Sequence, residues 1–367
     1  MARLDSFLEL VVQQHASDLH LRAGSVPIVR YCGDLVPLPF RVLSAEEAGR
    51  LVSEIMSAEQ RETFEKGVEV DFAYALPGVG RFRVHAFIQS RGPGAVIRVI
   101  PARVPTIEEL GLPEPIKKLA HLGSGLVLVT GPTGSGKTTT MAALIHEINT
   151  TSPRHVIMVE DPIEFVHEPI KSLETQRQVG LHVETVADGL RSALREAPDV
   201  IVVGEMRDPE TVELTLSAAE TGALVFGTLH TRTSSRAIGR ILDMYGESAE
   251  EQARTVLSVV LKGVVAQYLC RHNRGERLIP AVEVLLQTHA VTHIIREGRL
   301  HQLETYLASP ELRAQGMQSL DACVLSFLDR NLITPEEALR AACSADAIRR
   351  ILTTAAAANA AAGEDGA

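Results

Sequence analysis

The sequence predicts an α/β protein with two domains, a small α+β domain followed by a larger domain built on a buried parallel sheet. Length supports two domains, because 367 residues exceed the size of one average domain. The apolar pattern supports the two sheet types. Alternating apolar residues before residue 100 indicate strands with one buried face, whereas short, wholly apolar runs after Gly125 indicate strands buried on both faces.

The N-terminal α+β domain is predicted to span residues 1–100. Helices are expected near Leu4–His15 and from Ser44, where acidic residues occupy the first turn. A short extended segment lies between them, over Leu19–Leu38. Farther along, alternating apolar residues separated by Gly- and Pro-containing turns predict an antiparallel sheet, with strands at Val70–Leu76, Phe82–Ala86 and Val96–Ile100.

A linker is predicted at residues 101–115, because closely spaced prolines favour extended chain: Pro101, Pro105, Pro113 and Pro115. The second domain is expected over residues 116–354, with buried strands at Leu126–Val129, Val156–Val159, Val200–Val203 and Leu224–Leu229 separated by helices. From Ser248 the pattern predicts mainly helix, with one strand at Ala281–Leu286. Residues 355–367, mostly Ala, Gly and acids, are expected to be disordered.

Charge and cysteine content narrow the class of partner and the location. A net charge of −10 provides no sequence-wide positive field for phosphates, so we expect protein partners and no nucleic acid. No C-x-x-C pair is present, so no zinc site is predicted; the cysteines are Cys32, Cys270, Cys323 and Cys343. The N-terminal segment lacks a secretory pattern because Asp5 and Glu9 interrupt it, and a cytoplasmic location is expected.

A phosphate-binding loop is predicted at residues 131–138, which read GPTGSGKT and match G-x-x-x-x-G-K-[ST]. The motif lies between a predicted strand and a predicted helix at Thr139–Ile148, which is the context that the chemistry requires. Backbone N–H groups would surround the β-phosphate, Lys137 would reach the β and γ oxygens, and the Thr138 hydroxyl would bind Mg²⁺. The predicted ligands are therefore ATP and Mg²⁺, contacted by Gly131, Pro132, Thr133, Gly134, Ser135, Gly136, Lys137, Thr138 and Thr139.

Three further polar residues follow predicted buried strands, at the sheet edge where parallel sheets gather ligands. Many P-loop enzymes carry a Mg²⁺-binding aspartate where this chain has Gly204, and here the acid is the next residue, Glu205. Glu205 is the candidate general base, and Glu164 is a candidate for binding Mg²⁺ directly or through water. His230 is a candidate sensor of the γ-phosphate. The alternatives are a helix cap for Glu205, a surface turn for Glu164 and a structural histidine.

Arginines are the remaining requirement, because phosphoryl transfer develops charge that an arginine can neutralise. Arg191 and Arg195 are spaced i, i+4 and are predicted to share one helix face. Arg83 and Arg98 are predicted on successive strands of the N-terminal sheet. The alternative for each of these arginines is a place on a solvated surface or in an ion pair, for example with Glu196.

In order and spacing, these motifs resemble those of the type II/IV secretion ATPase superfamily: GPTGSGKT, VEDPIEF, APDVIVVGEMRDPET and AAETGALVFGTLHT. The early ASDLHL at Ala16–Leu21 and GMQSLD at Gly316–Asp321 are similar to those of its type IV pilus retraction branch. The resemblance covers nearly the whole chain. It implies a RecA-like P-loop ATPase core, a PAS-like N-terminal domain and a helical C-terminal region, and it assigns the same acidic and histidine residues to the site.

The resemblance also implies a function and partners. It implies a homohexameric ring in which ATP hydrolysis drives pilus retraction and twitching motility, acting on a platform protein at the cytoplasmic face of the inner membrane. The family's arginines match those named above. Absence of a tetracysteine motif favours retraction, but Ala290–Glu297 reads AVTHIIRE where retraction members have AIRNLIRE. The alternatives are an accessory retraction ATPase working with a paralogue, a nucleotide-dependent scaffold and, least favoured, a nucleic-acid translocase.

Overall fold

The structure, a computed structural model, describes residues 3–100, 103–275 and 277–353. The chain divides into two compact units, Met1–Arg103 and Val104–Ala367. Residues 355–367, which were predicted to be disordered, lie outside the described part of the chain. None of the described helices is long and apolar enough to cross a membrane.

The first unit is an antiparallel sheet with helices packed against it. Its strands are β1 (Asp18–Arg22), β2 (Ile28–Tyr31), β3 (Asp34–Pro37), β4 (Val70–Leu76), β5 (Gly80–Gln89) and β6 (Gly92–Ile100). They lie in the order β3-β2-β1-β6-β5-β4. The alternate residues Phe82, Val84 and Ala86 of β5 are buried in one core, as the alternating pattern predicted. The segment that was expected to be merely extended thus supplies three strands of the same sheet.

The helices of this unit are α1 (Arg3–Gln13), α2 (Ala45–Ser53) and α3 (Ala58–Glu65). The predicted helix from Ser44 is confirmed, and Ser44 is its N-cap: the Ser44 hydroxyl accepts from the Glu47 N–H, and the Glu47 carboxylate accepts from the Ser44 N–H. Ser57 and Gln60 form the same arrangement at α3, a helix that sequence reasoning missed. It was missed because Phe64 is its one buried residue, so α3 has almost no apolar periodicity.

The second unit is built on a seven-stranded sheet in the order β13-β12-β7-β11-β10-β8-β9. Its strands are β7 (Gly125–Thr130), β8 (His155–Glu160), β9 (Leu173–Gln178), β10 (Val200–Val203), β11 (Leu224–Leu229), β12 (Leu261–Arg271) and β13 (Leu278–Leu286). Neighbouring strands of this described sheet are parallel except for β12 and β13, which pair antiparallel. The predicted α/β class is therefore confirmed.

Both faces of this sheet are covered by apolar side chains. Along β7, Leu126 and Leu128 enter one core while Val127 and Val129 enter the other, because successive side chains of a strand point to opposite faces. The covering elements are α4 (Glu114–Leu119), α5 (Lys137–Thr151), α6 (Val186–Ala193), α7 (Pro209–Glu220), α8 (Ser234–Asp243), α9 (Glu247–Val260), α10 (His289–Arg296), α11 (Gln302–Leu307), a 3₁₀ helix (Pro310–Gln315), α12 (Leu320–Asp329) and α13 (Pro335–Ala341).

Three features of the second unit differ from the prediction. The proline-rich segment is not only a linker, because Ile107 and Leu112 are buried in the core beside α5. Strand β9 was missed, since Leu173 is its one apolar residue and is exposed, and the polar residues that follow are only partly buried. Strand β12 was predicted as helix. Its apolar run continues directly from the end of α9, and periodicity cannot separate a strand buried on both faces from a buried helix.

Candidate nucleotide-binding site

The loop between β7 and α5 has the backbone geometry of a phosphate-binding loop. Gly131, Gly134 and Gly136 have φ values of 151°, 77° and 87°, which residues other than glycine rarely adopt. A Cβ atom at Gly131 would also lie 2.3 Å from the carbonyl oxygen of Gln267. The helix that follows begins at Lys137, so the N–H groups of its first turn face the loop. The flanking strand and helix are those that the sequence predicted.

Gln267 of β12 holds this loop, and no sequence motif indicated it. Its side-chain Nε2 donates to the Ser135 carbonyl oxygen at 2.7 Å, and its Oε1 accepts from the Thr140 hydroxyl at 2.7 Å. The residue is 4% exposed. Because the prediction placed Gln267 on a helix, the one available signal, a polar residue within an apolar run, was not connected with the loop.

The sheet order brings the predicted acidic and histidine residues to the edge that carries the loop. Strands β7, β11, β10 and β8 are parallel neighbours, so the residues that follow them lie side by side. Glu205 follows β10, His230 follows β11, and Glu164 lies in the loop after β8. Glycine at position 204 has a steric reason, since a Cβ there would lie 3.0 Å from the Val159 carbonyl oxygen.

A continuous line of contacts joins the loop lysine to the candidate base. Lys137 Nζ donates to the carbonyl oxygens of Gly131 at 2.8 Å and Pro132 at 3.0 Å, and lies 3.3 Å from His230 Nδ1. His230 Nε2 lies 3.0 Å from Glu205 Oε1. An ammonium group can only donate, so Nδ1 accepts and Nε2 carries the proton that is donated to Glu205. His230 therefore connects the phosphate-binding lysine with the carboxylate.

Burial and neighbouring charges shift the pKa values of Lys137 and Glu205, the two residues at the ends of this line of contacts. Burial lowers the pKa of Lys137, while the carboxylates of Glu205 and Glu164 act in the opposite direction. Burial raises the pKa of Glu205, but the hydrogen bond and charge of Arg207 and the hydrogen bond from His230 outweigh it and leave this pKa below its ordinary value. Arg207 Nη2 lies 2.6 Å from Glu205 Oε2. Glu205 is thus an ionised, partly buried carboxylate beside the loop.

The residues present fit a nucleotide with Mg²⁺. The Ser135 hydroxyl is buried inside the loop and has no hydrogen-bond partner among the described residues, so it is free for a phosphate oxygen. The Thr138 hydroxyl and the Glu164 carboxylate are oxygen ligands of the kind that Mg²⁺ prefers. Next to the loop lies a cavity of about 420 Å³, lined in part by Gly136, Thr139, Leu269, Arg277 and Ile279. Its mostly apolar lining suits a nucleoside.

The predicted arginine pair of the second unit is only partly as expected. Arg191 lies on α6, where it donates to Asp188 at 2.7 Å and forms a close ion pair with Glu210. Arg195 lies beyond the last residue of α6, so the predicted shared helix face is wrong. The helix ends shortly before Pro198, since proline disfavours helical conformation in the residue before it, and Ala197 has a φ of 50°.

The other arginine pair lies as predicted in the first unit. Arg83 and Arg98 are direct partners across β5 and β6. Arg98 Nε donates to Asp18 Oδ1 at 3.0 Å, and Asp18 is 4% exposed. Within the first unit, Arg98 therefore forms an ion pair, which is one of the alternatives that the sequence left open. Glu196, named as a possible partner for the arginines near α6, pairs instead with Arg177 at 2.9 Å.

A phosphate-binding loop between a parallel strand and a helix, with an acid and a histidine at neighbouring strand ends, defines a P-loop nucleotide-binding ATPase core. The family model described as type II/IV secretion system protein matches residues 2–354. The chain belongs to this family. The predicted membership is confirmed.

Several relatives are similar over most of this chain. The type IV pilus retraction ATPase PilT of Pseudomonas aeruginosa is 45% identical over 335 residues, which cover 91% of this chain and 96% of that protein. The type IV pilus ATPase PilU of the same organism is 38% identical over 348 residues, covering 95% and 91%. A crystal structure of the pilus retraction motor PilT with bound ADP matches with a TM-score of 0.82 at 42% identity, covering 95% of this chain and 99% of that one.

Proposed function

We propose that this chain is an ATP-hydrolysing motor that powers type IV pilus retraction and twitching motility. The observation that carries the proposal is the line of contacts from Lys137 through His230 to Glu205, which joins phosphate binding to the candidate base. The similarity to PilT over nearly the whole chain supplies the biological role.

The hydrolysis step follows from the placement of these groups. Glu205 takes a proton from water, the water oxygen bonds to the γ-phosphorus, and the bond from that phosphorus to the β–γ bridging oxygen breaks, leaving ADP and phosphate. Lys137 and the loop N–H groups stabilise the charge that develops on the phosphate oxygens. Mg²⁺ held by Thr138 and Glu164 would neutralise further charge on the β and γ oxygens. The cavity beside Thr139 receives the nucleoside.

His230 can make the carboxylate respond to the phosphate. The three contacts of Lys137 Nζ, to two carbonyl oxygens and to His230, use the three donors of an ammonium group. A γ-phosphate that recruits Lys137 therefore takes a donor from one of these acceptors. Loss of the Lys137 bond changes what His230 can donate to Glu205, which is a direct route from phosphate binding to the base.

We propose the assembly and location from family membership. The motor acts as a homohexamer at the cytoplasmic face of the inner membrane and moves a platform protein that handles pilin subunits. Arg83, Arg98, Arg191 and Arg195 are proposed to supply the positive charge for phosphoryl transfer at the assembled sites. No nucleic-acid or zinc requirement is proposed.

An accessory retraction ATPase is the second candidate, and one helix favours it. In α10 the buried residues Val291, Ile294 and Ile295 keep the apolar face, while Thr292 and His293 stand on the outer side where retraction members carry Arg and Asn. The outward residues thus differ in chemistry, while the buried positions remain apolar. Similarity to PilU over 95% of the chain agrees with this alternative, in which a paralogous ATPase is a partner.

The test is the ATPase rate of wild type, K137A and E205A across a concentration range that assembles the oligomer, with and without DNA. K137A should lose ADP binding, whereas E205A should keep it and lose about 10²- to 10⁴-fold in turnover. E220A, which removes an exposed glutamate at the end of α7, is the matched control and should behave as wild type.

Each other outcome has a definite meaning. Wild-type turnover by E205A would remove Glu205 as the base. Tight ATP binding with negligible wild-type turnover would favour the scaffold, and stimulation by DNA would favour a translocase. Complementation of a strain that lacks its retraction ATPase, with and without the paralogue, separates the main motor from the accessory one.

A further inference from the structure

Arg207 contacts the candidate base and was not part of any predicted site. Its guanidinium lies between two carboxylates, with Nη2 at 2.6 Å from Glu205 Oε2 and Nη1 at 3.7 Å from Asp161 Oδ2. These carboxylates follow different strands, β10 and β8. The Arg207 side chain is 64% exposed, whereas that of Glu205 is 21% exposed. A largely exposed cation is therefore bound to a partly buried carboxylate.

Both oxygens of Glu205 are already engaged in this arrangement. Oε1 contacts His230 Nε2 at 3.0 Å, and Oε2 contacts Arg207. The charged and titratable groups that face Glu205 are thus His230, Arg207 and, at longer range, Lys137. A carboxylate that takes a proton from water works best when its basicity is matched to the working pH, and a cation bound to it lowers that basicity.

We propose that Arg207 restrains the base: it holds Glu205 in a weakly basic state and permits hydrolysis when its guanidinium moves from Glu205 to Asp161. Arg207 is a positioning residue, because it acts through Glu205. The inference rests on the proposed function, since it assigns a regulator to the same site.

The contact distances and exposure support a reversible restraint. Because the Arg207 guanidinium is largely exposed, solvent screens this ion pair and it contributes little stability, so the Arg207–Glu205 contact can break on the timescale of turnover. Asp161 is a ready second acceptor, because the guanidinium already lies near it and carries donors on both terminal nitrogens. The shorter distance to Glu205 indicates which carboxylate holds Arg207 in this structure.

The experiment is single-turnover ATP hydrolysis with enzyme in excess over ATP, which isolates the chemical step from product release. R207Q removes the charge and keeps a polar side chain, although a shorter one. Its hydrolysis rate should rise about two- to fivefold at neutral pH, with ADP affinity unchanged, because an exposed pair of this kind is weak. The acidic limb of its pH–rate profile should move to higher pH, a change that a merely structural role would not produce.

A second variant tests the exchange between carboxylates. D161N removes the alternative acceptor, so Arg207 should stay on Glu205 and hydrolysis should slow about two- to fivefold. In the R207Q background the same D161N change should not alter the hydrolysis rate, because no guanidinium is present for Asp161 to bind. Equal slowing in both backgrounds would overturn the exchange.

The outcomes separate this inference from the proposed function. Hydrolysis that depends on Glu205 but is unchanged or slower in R207Q overturns the restraint and leaves the motor proposal intact. Hydrolysis that does not depend on Glu205 overturns both. R207K keeps the charge without the fork of donors and should lie between wild type and R207Q. It serves if R207Q does not fold, and a rate below that of wild type would count against the restraint.

Discussion

Replacing Gln267 by leucine tests whether the neighbouring strand β12 holds the phosphate-binding loop. The two side chains are similar in size, so the change mainly removes hydrogen bonds. It leaves the Ser135 carbonyl oxygen without its 2.7 Å donor and the Thr140 hydroxyl without its 2.7 Å acceptor. The hydroxyl can turn to a carbonyl of the preceding helical turn, as threonines in helices do. The carbonyl of Ser135 lies in the loop, before the helix begins at Lys137, and Gln267 is the side chain that donates to it.

The expected loss follows from that one buried acceptor. An unsatisfied buried polar group costs about 1–3 kcal/mol. If the loop changes conformation to give this carbonyl another partner, nucleotide binding must reverse that change. The affinity for ADP then falls by the same free energy. ADP should then bind Q267L roughly five- to hundredfold more weakly than wild type. The catalytic step, once nucleotide is bound, should change less than affinity does.

The assay is calorimetric titration of ADP with Mg²⁺, combined with thermal unfolding of each protein. The matched control is Q287L, which removes a glutamine bond of 3.0 Å to the Val259 carbonyl, just before the start of β12 and distant in register from Gln267. Q287L should keep its ADP affinity. An affinity of Q267L within twofold of wild type, in a protein that is folded, would refute the role of β12 in holding the loop.

Two stability predictions concern positions on or next to the strands of the second unit. Burial, with a smaller contribution from Glu160, raises the pKa of Glu174 from 4.5 to about 7, and neither carboxylate oxygen has a hydrogen-bond partner among the described residues. The unfolded chain therefore releases this proton first, and the native state loses up to about 3 kcal/mol as pH rises through that interval. E174Q should gain stability over wild type in urea unfolding at about pH 8 and show no gain at about pH 4; an equal difference at both pH values would contradict this. G204A should lose about 1–3 kcal/mol in thermal unfolding, because its Cβ would lie 3.0 Å from the Val159 carbonyl oxygen and 3.1 Å from Glu160 Cα; an unchanged Tm would show that the backbone can yield there.

Local signals predicted most of the parallel sheet and the loop. A wholly apolar run such as Val200–Val203 indicates a buried strand whatever surrounds it, and GPTGSGKT requires glycine at positions where the backbone adopts positive φ. The positions of Glu164, Glu205 and His230 after their strands followed from the same pattern, because parallel strands end at one edge of a sheet.

The errors arose where a local pattern allowed more than one structure. Strand β12 and the end of α9 form one apolar stretch, and the pairing of β12 with β7 and β13 decides that it is a strand. The i, i+4 spacing of Arg191 and Arg195 was counted along a helix that Pro198 ends early. In this second case Pro198 is itself the local signal that the helix ends, and it outweighs the i, i+4 spacing.

By itself, the sequence determined the α/β class, the position of the phosphate-binding loop and the residues that follow each central strand, because these depend on interactions within a few residues. Only the tertiary structure decided which distant groups meet. Gln267 holds the loop, His230 joins Lys137 to Glu205, and Arg207 lies between Glu205 and Asp161. These contacts join residues on different strands, and the strand order that sets them results from burying the whole sheet at once.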